Sequence, residues 1–157
     1  METVHFVKTE EVSEKVNALF ETEKIKLSKL FPHADIQHIG GTSVPGTISK
    51  GDLDINIRVA QAEFNTTIEK LKTIYEINQP NNWTAGFASF KDDSRDLGIQ
   101  VTVIASPDDC FITQRDYLRE RPEKVVQLNQ LKERFEGKDM DEYRKEKGEF
   151  FEKLIKE

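Results

Sequence analysis

The chain has little of what several classes of protein depend on. Cys110 is the only cysteine among 157 residues, so no internal disulfide can form, and no Cys/His spacing typical of a zinc site occurs. No apolar run approaches the roughly 20 residues of a membrane-spanning helix. The charged start of the chain also lacks the apolar core of a signal peptide. These absences predict a cytoplasmic protein without membrane association.

Positive charge is also scarce. The chain has 23 Lys and Arg against 29 Asp and Glu, a net charge of −6 with His neutral. Broad binding to nucleic acid requires a basic surface field, so we expect none here, although a local basic pocket for a nucleotide remains compatible with this balance. No Ser/His/Asp or Cys/His arrangement indicates a covalent nucleophile. The length allows a sizeable core without disulfides, and we expect one domain over residues 1–157.

The most informative stretch is residues 36–59, where a glycine-rich turn leads into an alternating run. Alternation of apolar and polar residues predicts a strand with one buried face, and puts two carboxylates about 7 Å apart on the other face. Such a pair calls for a cation or a basic group between the charges, which indicates a Mg²⁺ or Mn²⁺ site. An ordinary solvated strand face is the alternative, although Asp is disfavoured in strands. The apolar residues are Leu53, Ile55, Ile57 and Val59, and the polar ones are Asp52, Asp54, Asn56 and Arg58.

The turn before this strand contains Gly40, Gly41, Thr42 and Ser43. One interpretation is a phosphate site made of backbone N–H groups and hydroxyls. The other is a tight turn in which glycine supplies a positive φ. Its link to the two aspartates favours the phosphate site. Two basic residues nearby, Lys50 and Arg58, could balance phosphate charge or pair with the aspartates.

The rest of the chain predicts a mixture of helices and strands. Apolar spacing favours helices at about 10–31 and 62–75, and an antiparallel pair of strands at 83–90 and 97–104. Three helices follow, from about Cys110, from Pro122 and after Gly137, the last marked by Tyr143, Phe150, Phe151, Leu154 and Ile155. The order predicts an α+β fold, with a small mixed sheet and a helical C-terminal part beside it.

The motifs also resemble a known family. The run H-I-G-G-T-S-V-P-G at residues 38–46, followed by Lys50 and Asp54, resembles the GrpB family of the nucleotidyltransferase superfamily. This resemblance implies a polymerase-β-like nucleotidyltransferase fold in which D-x-D binds a divalent metal and a nucleoside triphosphate is a partner. Later residues match as well, namely 115–119, Pro122, Leu131, Lys132, Tyr143 and Lys147.

The later strand departs from the superfamily pattern. Active relatives usually carry a third carboxylate there, where this chain has Gln100 and Thr102. Asp96 is the only local substitute, which makes Asp52, Asp54 and Asp96 the candidate catalytic residues. Efficient nucleotidyl transfer would need Asp96 within reach of the metal, or His38 as a base. The alternatives are a non-catalytic module that binds a nucleotide or phosphate ligand, and a helical interaction domain with a vestigial pocket.

Overall fold

A computed structural model describes residues 2–156 of the chain, with the side chains of residues 2–154. Within these residues the chain forms five α-helices and seven strands. The helices are α1 (Thr9–Leu30), α2 (Phe64–Leu71), α3 (Phe111–Arg119), α4 (Pro122–Arg134) and α5 (Met140–Lys156). The strands are β1 (Val7–Lys8), β2 (Asp35–Ile39), β3 (Ile48–Ser49), β4 (Leu53–Val59), β5 (Glu76–Ile77), β6 (Phe87–Asp92) and β7 (Leu97–Val103).

In the described part of the chain, none of the helices combines the length and the apolar character needed to cross a bilayer.

Five of the strands form one mixed sheet in the order β2-β4-β7-β6-β5. The central strands β4 and β7 are parallel, with Leu53 opposite Leu97 and Asn56 opposite Gln100. The other neighbours are antiparallel, and β1 and β3 form a separate two-stranded sheet. The α+β architecture predicted from the sequence is therefore confirmed.

The apolar face of the sheet carries the main core. Leu53, Ile55 and Ile57 are at most 1% exposed, as the alternation in this strand predicts. They pack with apolar residues of β6 and β7 and with the apolar stripes of α1 and α2. This core fixes the direction of the even-numbered side chains of β4, which point to the opposite face because successive strand residues alternate.

The C-terminal helices build a second apolar region and reach the glycine-rich turn. Val44, just after that turn, packs in a cluster with residues of α3, α4 and α5. Asn129 of α4 ties this helix to the chain before β4, since its side chain accepts from the N–H of Ile48 at 3.0 Å and donates to the carbonyl of Gly46 at 2.9 Å. The helical part therefore lies against the segment that leads into the central strand.

Several boundaries differ from the sequence prediction. Helix α2 ends at Leu71 rather than near Tyr75, and β6 begins at Phe87 rather than Trp83 because Thr84 pairs with Phe87 in a tight turn. The two-residue strands β1, β3 and β5 are too short to produce a periodic pattern. Helix α5 was predicted partly from Ile155, whose side chain lies outside the described residues.

The middle of the polar face of β4 is covered, and its other residues are only partly exposed, unlike the ordinary solvated face that the alternation also allowed. Asn56 is 0% exposed. Residues between β7 and α3, and α3 itself, pack over this face, where Asp109 bonds to Arg58 and Arg115 bonds to Gln37. A pattern of alternation gives the polarity of a strand face but contains no information about what covers it.

Candidate functional site

Asp54 is held between two glycines on the polar face of the sheet. Its register neighbours are Ile39 on β2 and Gly98 on β7. A Cβ placed on Gly98 would stand 2.6 Å from Oδ1 of Asp54, and one placed on Gly40 would stand 2.6 Å from Oδ2. Gly40 also has a φ of +78°, which disfavours any side chain there. The chain therefore needs glycine at both positions for this carboxylate to lie where it does.

Two carboxylates and three lysines meet around this point. Asp52 directly precedes β4, and its carboxylate lies 3.9 Å from Nζ of Lys50. Burial, together with the nearby charge of Asp52, raises the pKa of Asp54, while Lys147, Lys50 and Lys132 oppose that rise. The predicted proximity of the aspartates to a basic residue is thus present, and it involves lysines from α4 and α5 as well.

Lys132 is the buried member of this group. The residue is 2% exposed, and its Nζ donates a hydrogen bond to the carbonyl of Ile48 at 2.6 Å. Burial and the charge of Lys147 lower the pKa of Lys132 to about 7, against the attraction of the two aspartates. Its Nζ also lies 3.4 Å from the position of a Cβ on Gly41. The amine of Lys132 therefore lies close to the glycine-rich turn, with its pKa shifted toward the neutral form.

Lys132 matches the family pattern, but the sequence alone indicated no function for it. It follows Leu131 in an apolar stripe of α4, so its pattern is that of an ordinary helix flank. The contact that gives it a role spans 84 positions, from α4 back to β3. Lys147, which also matched the family pattern, lies on α5, and its charge opposes the rise in the pKa of Asp54.

The glycine-rich turn is a short 3₁₀ helix, Gly41–Ser43. Its hydroxyls are already engaged: Thr42 donates to the carbonyl of Asp52 at 3.0 Å, and Ser43 donates to the carbonyl of Gly40 at 2.5 Å. By contrast, no hydrogen bond from the N–H of Gly41 or Thr42 occurs among the described residues. The backbone N–H groups, rather than the hydroxyls, are thus the donors that remain for an anion.

His38 supports this turn from the other side of β2. Its Nε2 lies 2.9 Å from Oγ1 of Thr42, and its ring stacks on Phe20 at 5.4 Å. Because the hydroxyl of Thr42 donates its hydrogen bond to the backbone carbonyl of Asp52, Nε2 of His38 must be the donor in the bond to Thr42. Burial, with the charges of Arg119 and Arg115, lowers the pKa of His38 to about 4. A neutral imidazole whose Nε2 is bonded to Thr42 serves to support the turn.

Two arginines of α3 fix the backbone around the turn. Nε of Arg119 donates to the carbonyl of Ser43 at 2.9 Å, and Nη1 of Arg115 donates to the carbonyl of His38 at 3.0 Å. Arg115 also bonds to the amide of Gln37. These contacts hold the end of β2 and the turn in place, which explains the presence of both arginines without a ligand.

Arg58 lies apart from this group, and Asp96 contacts it through its backbone carbonyl. Arg58 is at the far end of β4, where its guanidinium bonds to both carboxylate oxygens of Asp109, at 2.8 and 2.7 Å, and to Asp35 at 2.6 Å. Asp96 precedes β7, is exposed, and has a φ of +50°; its carbonyl accepts from the N–H of Leu53 at 2.9 Å. The structure therefore brings together Asp52, Asp54, Lys50 and the turn, but not Arg58 or the side chain of Asp96.

The later strand presents no acid to the aspartates. Opposite Asp54 it has Gly98, followed on the same face by Gln100 and Thr102. Across residues 2–154 no group of three or more His, Cys, Asp and Glu is close enough to form a metal site. Two carboxylates suit a hard cation such as Mg²⁺, whose remaining positions would be taken by water and by phosphate oxygens.

A cleft of about 530 Å³ adjoins the turn without reaching the aspartates. It lies between the segment after the turn and helices α3 and α4, and it meets the turn at Ser43 and Arg119. Apolar side chains of Leu118, Pro122 and Val125 form most of its wall. The charged group and this apolar cleft are thus neighbours that share one edge.

Comparison with solved structures identifies the class to which this fold belongs. GrpB of Enterococcus faecalis superposes with a TM-score of 0.73 at 21% identity, over 90% of this chain and 93% of that one. The poly(U) polymerase Cid1, in a structure with MgGTP bound, superposes with a TM-score of 0.55 at 11% identity, over 80% of this chain and 42% of that one. The fold is that of the nucleotidyltransferases.

Sequence comparison gives the family. The family model for GrpB protein matches residues 7–157. A UPF0157 protein of Vibrio cholerae is 31% identical over 156 residues, which is 98% of this chain and 83% of that protein. The chain belongs to the GrpB family, as its motifs predict.

Proposed function

We propose that this chain binds a nucleoside triphosphate with Mg²⁺ or Mn²⁺ and transfers a nucleotidyl group to the hydroxyl of an acceptor. The observation that carries this proposal is the position of Asp54: its carboxylate is wedged between two glycines, and its pKa is raised by burial and by Asp52 against the charges of three lysines. Burying like charges together costs free energy, and such a cost is typical of a functional site. Cid1, which shares the fold, is a poly(U) polymerase for which a complex with MgGTP is known.

Each side chain then has a distinct task. Asp52 and Asp54 would hold the cation, which when bound neutralises phosphate charge. The N–H groups of Gly41 and Thr42 would donate to phosphate oxygens, with Gly40 and Ser43 setting the shape of the turn. Lys50, Lys132 and Lys147 would offset the charge of the β- and γ-phosphates and of the leaving group.

The reaction is a displacement at the α-phosphorus. The acceptor oxygen forms a bond to the α-phosphorus, while the bond from the α-phosphorus to the oxygen that bridges it to the β-phosphate breaks. Pyrophosphate leaves, and the hydroxyl proton of the acceptor passes to solvent. Positioning and charge neutralisation supply most of the catalysis in such transfers. His38 does not serve as the base in this proposal, because its Nε2 is bonded to Thr42.

One observation favours a second candidate, a nucleotide-binding module without turnover. The strand beside Asp54 offers Gly98 and Gln100 where a third carboxylate would complete the site, and Asp96 is exposed. The arrangement suits binding of a metal–nucleotide complex better than activation of an acceptor hydroxyl, for which another acid or a base is normally needed. We therefore expect nucleotide binding with slow transfer.

A transfer assay distinguishes the two candidates. The protein is incubated with nucleoside triphosphates labelled at the α-phosphate, Mg²⁺ or Mn²⁺, and candidate acceptors that carry hydroxyls, and labelled products are separated from nucleotide. Wild type is compared with Asp54→Asn and with Asp96→Asn. We expect any transfer to be lost in Asp54→Asn and kept in Asp96→Asn.

Other outcomes change the proposal in defined ways. Loss of transfer in both variants would make Asp96 a third acidic residue of the site. Binding of nucleotide without transfer to any acceptor would favour the non-catalytic module. Failure of every nucleotide to bind, with and without metal, would contradict the proposed function as a whole.

A further inference from the structure

The amide of Gln100 and the carboxylate of Asp54 both border the space that a side chain on Gly98 would fill. A Cβ placed on Gly98 would stand 2.6 Å from Oδ1 of Asp54 and 3.7 Å from Nε2 of Gln100. Both groups therefore reach into the space that the missing side chain of Gly98 leaves open. Gln100 is two residues further along β7 and is the register partner of Asn56 on β4.

The oxygen of this amide is unused in the folded chain. Oε1 of Gln100 is buried and has no hydrogen-bond partner among the described residues, and the same holds for Oδ1 of Asn56. A buried acceptor without a donor costs free energy, so such an atom in a native site calls for an explanation. Water, a ligand or a cation can satisfy it.

Asn56 holds the backbone of Gln100 in place. Its Nδ2 donates to the carbonyl of Gln100 and to Oγ1 of Thr102, both at 3.0 Å. Because one of these partners is a carbonyl, the nitrogen of Asn56 is the atom on that side. The residue is 0% exposed, so the anchor is rigid, and only the side chain of Gln100 is left to adjust.

We propose that Gln100 is a neutral third contributor to the cation site of Asp52 and Asp54. Rotation by 180° about its last side-chain bond exchanges Nε2 and Oε1. In the metal-free protein Nε2 is the amide atom nearer to the space beside Gly98, and in the loaded protein the carbonyl oxygen would take its place and turn toward the cation. This inference rests on the proposed function, since it requires a cation at the two aspartates.

The consequence is a site with two negative charges rather than three. Amide carbonyls are suitable ligands for hard cations but add no charge. The cation is then held weakly by the protein alone, and phosphate oxygens of the nucleotide complete its coordination. Metal and nucleotide binding become strongly interdependent.

Two substitutions of Gln100 test this inference through metal binding alone. Gln100→Met keeps the length of the side chain and removes both polar atoms, and Gln100→Glu keeps the shape and adds a charge. Mn²⁺ affinity is measured by electron paramagnetic resonance, with and without a non-hydrolysable ATP analogue. Gln127→Met, on an exposed position of α4, is the matched control.

We expect Gln100→Met to weaken Mn²⁺ binding roughly ten-fold, in the range seen when a group that supports a metal site is removed. Gln100→Glu should tighten it, and Gln127→Met should leave it unchanged. In nuclear magnetic resonance spectra, the side-chain NH₂ signals of Gln100, assigned by their loss in the Met variant, should shift when Mg²⁺ is added to the wild-type protein with the analogue.

The failure of this inference differs from the failure of the proposed function. Equal Mn²⁺ affinity in wild type, Gln100→Met and Gln100→Glu, with Gln100 signals unmoved by Mg²⁺, would overturn the role of Gln100 and leave the two aspartates as the site. Absence of Mn²⁺ binding to the wild-type protein, with or without the analogue, would overturn both. Circular dichroism melting of each variant confirms that it is folded at the temperature of measurement.

Discussion

Strand β4 has charged residues on the same face at both ends, but their pKa values shift in opposite directions relative to the charged form. At the far end, Arg58 is bonded to both oxygens of Asp109 and to Asp35. These bonds, led by the one to Asp109, raise the pKa of Arg58, and Arg58 in turn lowers the pKa of Asp109. At the near end, burial and Asp52 raise the pKa of Asp54, and burial lowers that of Lys132.

The two ends of the strand differ in the direction of these pKa shifts. At the Arg58 end each group is more stable in its charged form, as in an ion pair that serves the fold. At the Asp54 end the acid and the base are both displaced toward their neutral forms, so the folded chain bears an electrostatic cost that a cation and an anionic ligand would remove. The comparison supports the near end of the strand as the proposed ligand site.

Replacement of Arg58 should have the largest effect on stability. Arg58→Met leaves Asp109, whose side chain is 7% exposed, without its cation, so we expect the free energy of unfolding to fall by about 2–4 kcal/mol. Denaturation in urea measures this change, with Arg134→Met on the surface of α4 as the control. Nucleotide binding at a temperature where the variant is folded should be unaffected. A stability equal to that of the control would show that the ion pairs of Arg58 with Asp109 and Asp35 do not support the fold.

Replacement of Asp54 should have the opposite effect on the metal-free protein. A carboxyl whose pKa is raised by folding binds its proton more tightly in the folded state, so its contribution to stability falls as the pH rises above about 4. Asp54→Asn removes that cost and should raise the free energy of unfolding near neutral pH by about 1–2 kcal/mol. Thermal melting in EDTA at pH values from about 4 to neutral measures the change. A loss of stability in Asp54→Asn would mean that its carboxylate is paired like those around Arg58.

His38 offers an effect on stability of similar size, which depends on pH in the other direction. Because its pKa is lowered to about 4, the unfolded chain binds more protons than the folded chain between about pH 4 and pH 6.5. The free energy of unfolding should reach its full value above pH 6.5 and fall by about 1–2 kcal/mol as the pH drops to 4. Histidine titration by nuclear magnetic resonance should give a midpoint near 4 for this ring. A midpoint near 6.5 would contradict the engaged, neutral imidazole.

Two variants assign that pH dependence to one residue. His38→Gln retains an N–H that can reach Thr42 but cannot titrate, so the decline in stability between pH 6.5 and 4 should become shallower. His33→Gln, at an exposed position, should leave the decline unchanged. If His33→Gln had the larger effect, His38 would not be the residue that couples the turn to pH.

The sequence predicted the near end of β4 better than its surroundings. Period-2 alternation was sufficient to predict the strand and the burial of Leu53, Ile55 and Ile57, because the strand pleat alone determines that pattern. The glycines before it indicated a turn, and the positive φ falls on Gly40 and not on Gly41. Local rules act within a few residues, and these features are local.

Contacts between distant segments were beyond the reach of such rules. Arg58 could have paired with the aspartates beside it, but its main partner, Asp109, lies 51 positions later, in the segment after β7. Lys132 reaches the site from α4. The space beside Gly98, which Asp54 and Gln100 both border, depends on the parallel pairing of β4 with β7. Only the tertiary structure brings these groups together.

The coupling between Mg²⁺ and nucleotide tests the central claim most directly. A non-hydrolysable ATP analogue is titrated by calorimetry into the wild-type protein and Asp54→Asn, each in Mg²⁺ and in EDTA. The account predicts that Mg²⁺ tightens binding at least roughly ten-fold in wild type, a coupling of about 1.4 kcal/mol, and has no such effect in Asp54→Asn. Equal affinity in Mg²⁺ and EDTA for the wild-type protein, or equal coupling in the variant, would contradict it.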